Sequence, residues 1–346
     1  MQRTPEPHSP ATEPPGDHTA LYAELHRMGL IGAEERPPLV PLAGGVSSDI
    51  FRLDLPNGPV CVKRALPKLR VSAEWFAPVE RNAAEVDWIR VAAKVDPDTV
   101  PEIVGEDRAA GLFVMRFLEP EKYPLWKSQL RDGSIEPATA EHVAKRLAAV
   151  HRATAGQPEI AARFAHHTVF HDIRLEPYLL ATAERHPDCA AALNALAAAT
   201  ASCRLALVHG DVSPKNILAG PRGPVFLDAE CACYGDPAFD FAFCLNHLLL
   251  KCLWRPHWRA RYLACFDALA ASYLADIAWE PAAVLEARAA RLLPGLLLAR
   301  VDGKSPVEYV TEEADRERVR RVAKPILRSP PKRLDQVRTA WEKELA

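Results

Sequence analysis

Residues 207–230, LVHGDVSPKNILAGPRGPVFLDAE, constrain this chain more than any other segment. They set His209, Asp211 and Asn216 in the order H-x-D-x-x-x-x-N, then return through apolar residues 225–227 to Asp228. Apolar Leu205, Leu207 and Val208 lead into His209. Ile217 and Leu218 follow Asn216, and 220–223 reads as a turn. Two short strands would therefore hold Asn216 and Asp228 close together. That frame suits phosphoryl transfer, which asks a protein mainly for positioning and charge neutralisation. Asp211 can accept a proton from an attacking hydroxyl, while Asn216 and Asp228 offer the hard oxygens that Mg²⁺ takes. The plainer alternative is a solvated hairpin whose polar residues cap turns. The order and context of the motif weigh against it.

HGD with an Asn five residues after the Asp resembles the catalytic loop of the aminoglycoside phosphotransferase and choline kinase superfamily, distant relatives of protein kinases. Asp228 stands where kinases carry their metal-binding Asp. It opens D-A-E, as is usual in the small-molecule branch. GDPAFDFA at 235–242 also resembles that branch. The resemblance implies that Asp240 supports the catalytic loop and that His209 holds it without acting as base. Asp211 keeps the base role and meets the acceptor hydroxyl. Glu230 is expected to add a metal contact or to position Asp228.

Upstream, Val60-Cys61-Val62 delivers Lys63 at the end of an apolar strand, where it can reach phosphates across a cleft. A helix carboxylate would hold it, Glu80 and Glu85 being the candidates. Residues 63–86, KRALPKLRVSAEWFAPVERNAAEV, resemble the corresponding run in 5-methylthioribose kinases. The matching positions are Lys63, Ala65-Leu66-Pro67, Arg70-Val71, Glu74, Trp75, Arg81 and Glu85, so the resemblance selects Glu85. Gly44-Gly45-Val46-Ser47-Ser48 is the candidate phosphate-covering loop: Gly44 and Gly45 allow close approach, and Ser47 and Ser48 can donate. Fold order places backbone contacts to adenine at Met115, Arg116 and Leu118. The implied cofactors are ATP and Mg²⁺.

The catalytic loop departs from the methylthioribose branch, which tends to read HGDLHTGS with no Asn at position 216. HGDVSPKN is closer to the aminoglycoside and choline branch. On the acceptor side, His171-Asp172-Ile173-Arg174 reads as a loop over the cleft or as a helix start capped by Asp172. Arg300, after a strongly apolar helix, is the position that resembles the sugar-contacting arginines of methylthioribose kinases. A helix C-terminus favours Arg in any case. Charged residues 312–321 alternate in sign, so no acidic cluster awaits a polycationic antibiotic.

The wider pattern fits a bilobal α+β, protein-kinase-like architecture. Residues 1–16 are polar and proline-rich and are expected to be a disordered tail. Asp17 is placed to cap a helix running to about Met28. Residues 39–62 alternate around Pro56-Asn57-Gly58, a hairpin signal. A helix is expected from Val79 to about Ala93, and a strand over 111–117. Leu118-Glu119-Pro120 then marks a hinge between a nucleotide-binding N-lobe, 17–118, and a C-lobe, 119–346. The C-lobe is mostly helical, with an apolar buried helix over 239–253.

The chain has 346 residues, 49% of them hydrophobic, and a net charge of −2. Nothing there argues for nucleic-acid or membrane partners. Its eight cysteines form no C-x-x-C pair and sit mostly in apolar runs, which favours small buried thiols in a reducing cytoplasm. The expected activity is ATP- and Mg²⁺-dependent phosphorylation of a hydroxyl on a small molecule. The alternatives are 5-methylthioribose kinase proper and a nucleotide-binding pseudokinase without turnover. The complete set Lys63, Asp211, Asn216 and Asp228 argues against the pseudokinase. The lack of H-R-D and A-P-E segments argues against a protein kinase. Oligomeric state stays open, with a homodimer as one option.

Overall fold

A computed structural model of the chain describes residues 18–42, 48–66 and 81–346. The proline-rich tail, Asp17, Gly44, Gly45, Ser47 and the stretch holding Arg70, Glu74, Trp75 and Glu80 lie outside the described residues. The architecture is the expected α+β one, with a strand-rich lobe followed by a helical lobe.

Five antiparallel strands form the first lobe in the order β1-β2-β3-β5-β4. They are β1 Val40–Pro41, β2 Ser48–Leu55, β3 Gly58–Ala65, β4 Ile103–Asp107 and β5 Leu112–Arg116. The tight β2–β3 turn falls on Pro56 and Asn57, as the alternation predicted, and Gly58 follows at φ 104°. Strand alternation decides where Lys63 points. Val60 and Val62 pack with Leu112, Val114 and the Thr19–Arg27 helix on one face. Cys61, Phe113 and Met115 join the other face, covered by the Arg81–Val95 helix. Lys63 shares the parity of Cys61 and so meets that helix, which carries Glu85.

The second lobe packs the helices Pro137–Thr154, Pro237–Trp254, Arg259–Ala275 and Ala282–Asp302 around one core. Pro237–Trp254 is buried along nearly its whole length, as its apolar run predicted, and includes buried Asn246, His247 and Lys251. Two small antiparallel pairs frame the central loop: β6 Ala206–Val208 with β9 Cys233–Gly235, and β7 Ile217–Gly220 with β8 Gly223–Phe226.

The 171–178 segment differs from both expectations. His171–Leu180 is a π-helix with Pro177 inside it. Such wide turns are rare and frequent at functional sites. Here the turn directs Arg174 and Tyr178 into the interior. All eight cysteines are free, and all but Cys203 are buried. Among the described residues, no helix is long and apolar enough to cross a membrane.

Candidate active site

The loop after β6 is built by backbone capture. Asp240 accepts hydrogen bonds from the N–H groups of His209, at 2.6 Å, and Gly210, at 2.8 Å. Gly210 has φ 81°, and a Cβ there would lie 2.7 Å from that of Cys231, so glycine is required on two counts. His209 Nδ1 accepts the Asp211 N–H at 3.1 Å, and its Nε2 lies 3.1 Å from the Leu227 carbonyl. That pairing fixes a neutral imidazole with the proton on Nε2. Burial likewise holds His209 below its ordinary pKa. The ring meets Trp88 edge-on at 4.7 Å. His209 and Asp240 thus hold the backbone of the loop that carries Asp211.

Asp211 is buried, and its Oδ2 lies 2.9 Å from Arg174 Nη2 and 3.1 Å from Lys215 Nζ. Burial alone would raise its pKa, but the two cations outweigh burial and hold the carboxyl well below the usual range. Asn216 Nδ2 donates to the Asp211 carbonyl at 3.1 Å, and its amide oxygen accepts no hydrogen bond from a described residue.

Opposite, Lys63 Nζ bridges Glu85 Oε2 at 2.6 Å and Asp228 Oδ1 at 2.5 Å. The Asp228 N–H donates to Glu85 Oε1 at 3.2 Å. Burial pushes Glu85 up to about 7 against the pull of Lys63. Burial would lower Lys63, but Asp228 and Glu85 keep it charged. Asp228 alone among the described non-glycine residues has positive φ, at 67°. That conformation disfavours most side chains and turns this carboxylate toward the lysine.

Several expected positions are placed differently. The Glu230 carboxylate accepts from Arg81 Nε at 2.9 Å, and Arg81 also donates to the Leu66 carbonyl at 2.7 Å. Glu230 therefore ties the helix to the loop after Asp228. Of the hinge positions, the Arg116 N–H is spent on the Glu102 carbonyl and the Phe117 N–H on the Pro59 carbonyl, whereas the Leu118 N–H donates to no described residue. Met115 is committed to the sheet. Ser48 is buried at the start of β2 with its hydroxyl unpartnered. Asp172 is exposed and pairs with His171. Its neighbour Arg174 is the residue that reaches Asp211. Arg300 is buried, donating from Nη1 to Tyr178 Oη at 3.1 Å and to Ser305. Arg174 and Lys215 were missed as site residues. Lys215 lies inside the motif, and the i, i+4 spacing of Arg174 and Tyr178 was the available signal.

The strand lobe, the lysine–glutamate pair and the carboxylate loop together define a protein-kinase-like fold. The chain belongs to the phosphotransferase enzyme family, which it matches over residues 38–285. Over 228 residues it is 29% identical to methylthioribose kinase 1 of Oryza sativa subsp. japonica, covering 56% of this chain and 51% of that one. A methylthioribose kinase of Bacillus cereus is 27% identical over 233 residues, with 60% and 58% covered. The chain thus spans little more than half the length of these relatives. Among solved structures, an amicoumacin kinase in complex with AMP-PNP, Ca²⁺ and Ami superposes with a TM-score of 0.52 at 14% identity, covering 92% of this chain and 99% of that one. This likeness is one of fold.

Proposed function

We propose that this protein transfers the γ-phosphoryl group of a nucleoside triphosphate, ATP in the first instance, to a hydroxyl of a small molecule. The observation that carries the reading is the junction of Lys63, Glu85 and Asp228 across the cleft from Asp211. Family membership and the kinases among its relatives support it. The nucleotide would lie between the sheet lobe and the loop, with adenine at the Leu118 N–H and phosphates at Lys63.

Asn216 and Asp228 are the residues that would hold Mg²⁺. An amide oxygen and a carboxylate oxygen, neither accepting a hydrogen bond from a described residue, suit an ion that otherwise binds phosphate and water. When bound, Mg²⁺ would neutralise phosphate charge. Asp211 aligns the acceptor hydroxyl in line with the γ-phosphorus. The hydroxyl O–P bond forms, the bond to the ADP oxygen breaks, and the hydroxyl proton passes to Asp211 late in the reaction. Arg174 and Lys215 make Asp211 a weak base, which suits a loose transition state needing little early deprotonation.

5-Methylthioribose is the first acceptor to test because of the relatives' names. The assay is ADP release by the purified protein with MgATP and 5-methylthioribose, using Asp211→Asn as the blank. Turnover well above the blank supports both phosphotransfer and that acceptor. Failure with every hydroxylated acceptor tried would overturn the reading.

A further inference from the structure

The acceptor side holds buried polar groups that the chain itself does not satisfy. Lys251 is 1% exposed, and its ammonium makes no hydrogen bond or ion pair with a described residue. It lies 4.8 Å from the Trp254 ring centre and 4.6 Å from that of Tyr309, two rings stacked 4.6 Å apart. One helical turn earlier, His247 is 5% exposed with Nε2 unpartnered, its Nδ1 lying 3.5 Å from Tyr309 Oη. Arg300 is 7% exposed, and its Nε has no partner among the described residues. Burying one such group is costly, and three joined through Tyr309, Phe243 and Tyr178 are not explained by packing.

A chain of contacts connects this cluster of buried polar groups to Asp211. Asp211 pairs with Arg174, whose guanidinium lies 5.9 Å from the Tyr178 ring. Tyr178 accepts from Arg300 and meets Phe243 at 5.5 Å, and Phe243 meets His247 at 5.4 Å. Lys127 and Glu308 pair with each other, and both charges act on Lys251. Burial and the charges of Arg300, Lys251, Lys215 and Lys127 all depress His247. Burial, Lys127 and Arg300 lower Lys251 to about 7, with Glu308 and Cys244 only partly offsetting them. The field is that of a site short of negative charge. It opposes a cationic acceptor, and the stacked pair Trp254 and Tyr309 is already occupied by the Lys251 ammonium.

We propose that the phosphoryl acceptor is a small hydroxylated oxyanion, a hydroxy acid or a sugar phosphate, whose anionic group binds Lys251, His247 and Arg300 while its hydroxyl meets Asp211. This deepens the phosphotransferase reading and rests on it for the acceptor role, though not for binding.

The test separates the two. Thermal shift of the wild-type protein and of Lys251→Met is measured with D-glycerate, inorganic phosphate, ribose 5-phosphate, glycerol and choline. ADP release with MgATP is followed for the hydroxylated compounds and 5-methylthioribose. The expected result is protection by the anions alone, lost in Lys251→Met. Turnover should be confined to anionic acceptors, with KM at least about tenfold higher in the variant and kcat within about threefold, as loss of uniform binding requires. The D-glycerate and ribose 5-phosphate arms tell carboxylate from phosphate. His247→Gln, which keeps volume and neutrality, should raise KM less and serves if Lys251→Met does not fold. Anion binding without turnover would sink the phosphotransferase reading and keep the anion site. Turnover on neutral or cationic acceptors without anion protection, or an unchanged KM in both variants, would overturn the anion site and keep the phosphotransferase.

Discussion

The two sides of the cleft treat buried charge in opposite ways. On the nucleotide side, Lys63 meets Glu85 and Asp228, and Arg81 meets Glu230, all within 2.9 Å. On the acceptor side, among the described residues, Lys251 has only aromatic faces, and His247 Nε2 and Arg300 Nε have no partner. The first set joins the lobes through ion pairs that the chain itself completes. The second destabilises the ligand-free protein, which is the usual cost of a site prepared for something absent from the chain. The contrast predicts that substitutions on the two sides shift stability in opposite directions.

The largest effect is expected from Lys63→Met. It strands Glu85 and Asp228 in the interior and should cost about 3–5 kcal/mol, the range for breaking a buried pair. Chemical denaturation checks the stability, and ADP release should be lost with it. Asp211→Asn comes next, lowering kcat by about 10²–10⁴ and also costing stability, because buried Arg174 loses its carboxylate partner. An unchanged rate in a steady-state assay would remove Asp211 as base.

Lys251→Met sharpens the comparison most, because it should stabilise the protein. Relieving one unpaired buried charge is worth about 1 kcal/mol, or a Tm rise of about 2–4 °C by calorimetry near pH 7. The sign follows from proton linkage. Lys251 titrates at about 7 in the fold against an ordinary 10.5, so the unfolded chain binds more protons between those values. The contribution of Lys251 therefore makes stability rise with pH across that window, and Lys251→Met should remove the slope. A fall in Tm would make Lys251 an ordinary structural lysine. The smallest effect is expected from Arg174→Gln. Asp211 then loses one of the cations that depress it, so the acid limb of the kcat–pH profile should move upward. An unmoved limb would mean that Arg174 does not tune the base.

Much of this was legible in the sequence where a local pattern dictates a local geometry. The 207–230 segment predicted its own strands, and the alternation through β3 put Lys63 on the helix-facing side. Glu85 was found by resemblance, and the structure pairs it with Lys63. What could not be read depends on partners far apart in the chain. Glu230 was expected to contact a metal or to position Asp228, and its partner Arg81 lies 149 residues away. Asp172 and Arg174 differ by two positions in HDIR, and only a π-helical turn decides which one faces Asp211. Lys251 was visible as a lone charge in LLLKCLW, yet its lack of a partner is a property of three dimensions alone.

The imidazole of His209 has a mechanical consequence. One nitrogen holds the Asp211 amide and the other the carbonyl of Leu227, the residue before Asp228. The two carboxylates on which the proposed chemistry rests are therefore fixed to one frame and travel as a single rigid body. Any closing motion between the lobes must carry Lys63 and Glu85 across that frame, with the Lys63–Asp228 and Glu85–Asp228 contacts as its only direct latches onto Asp228 among the described residues.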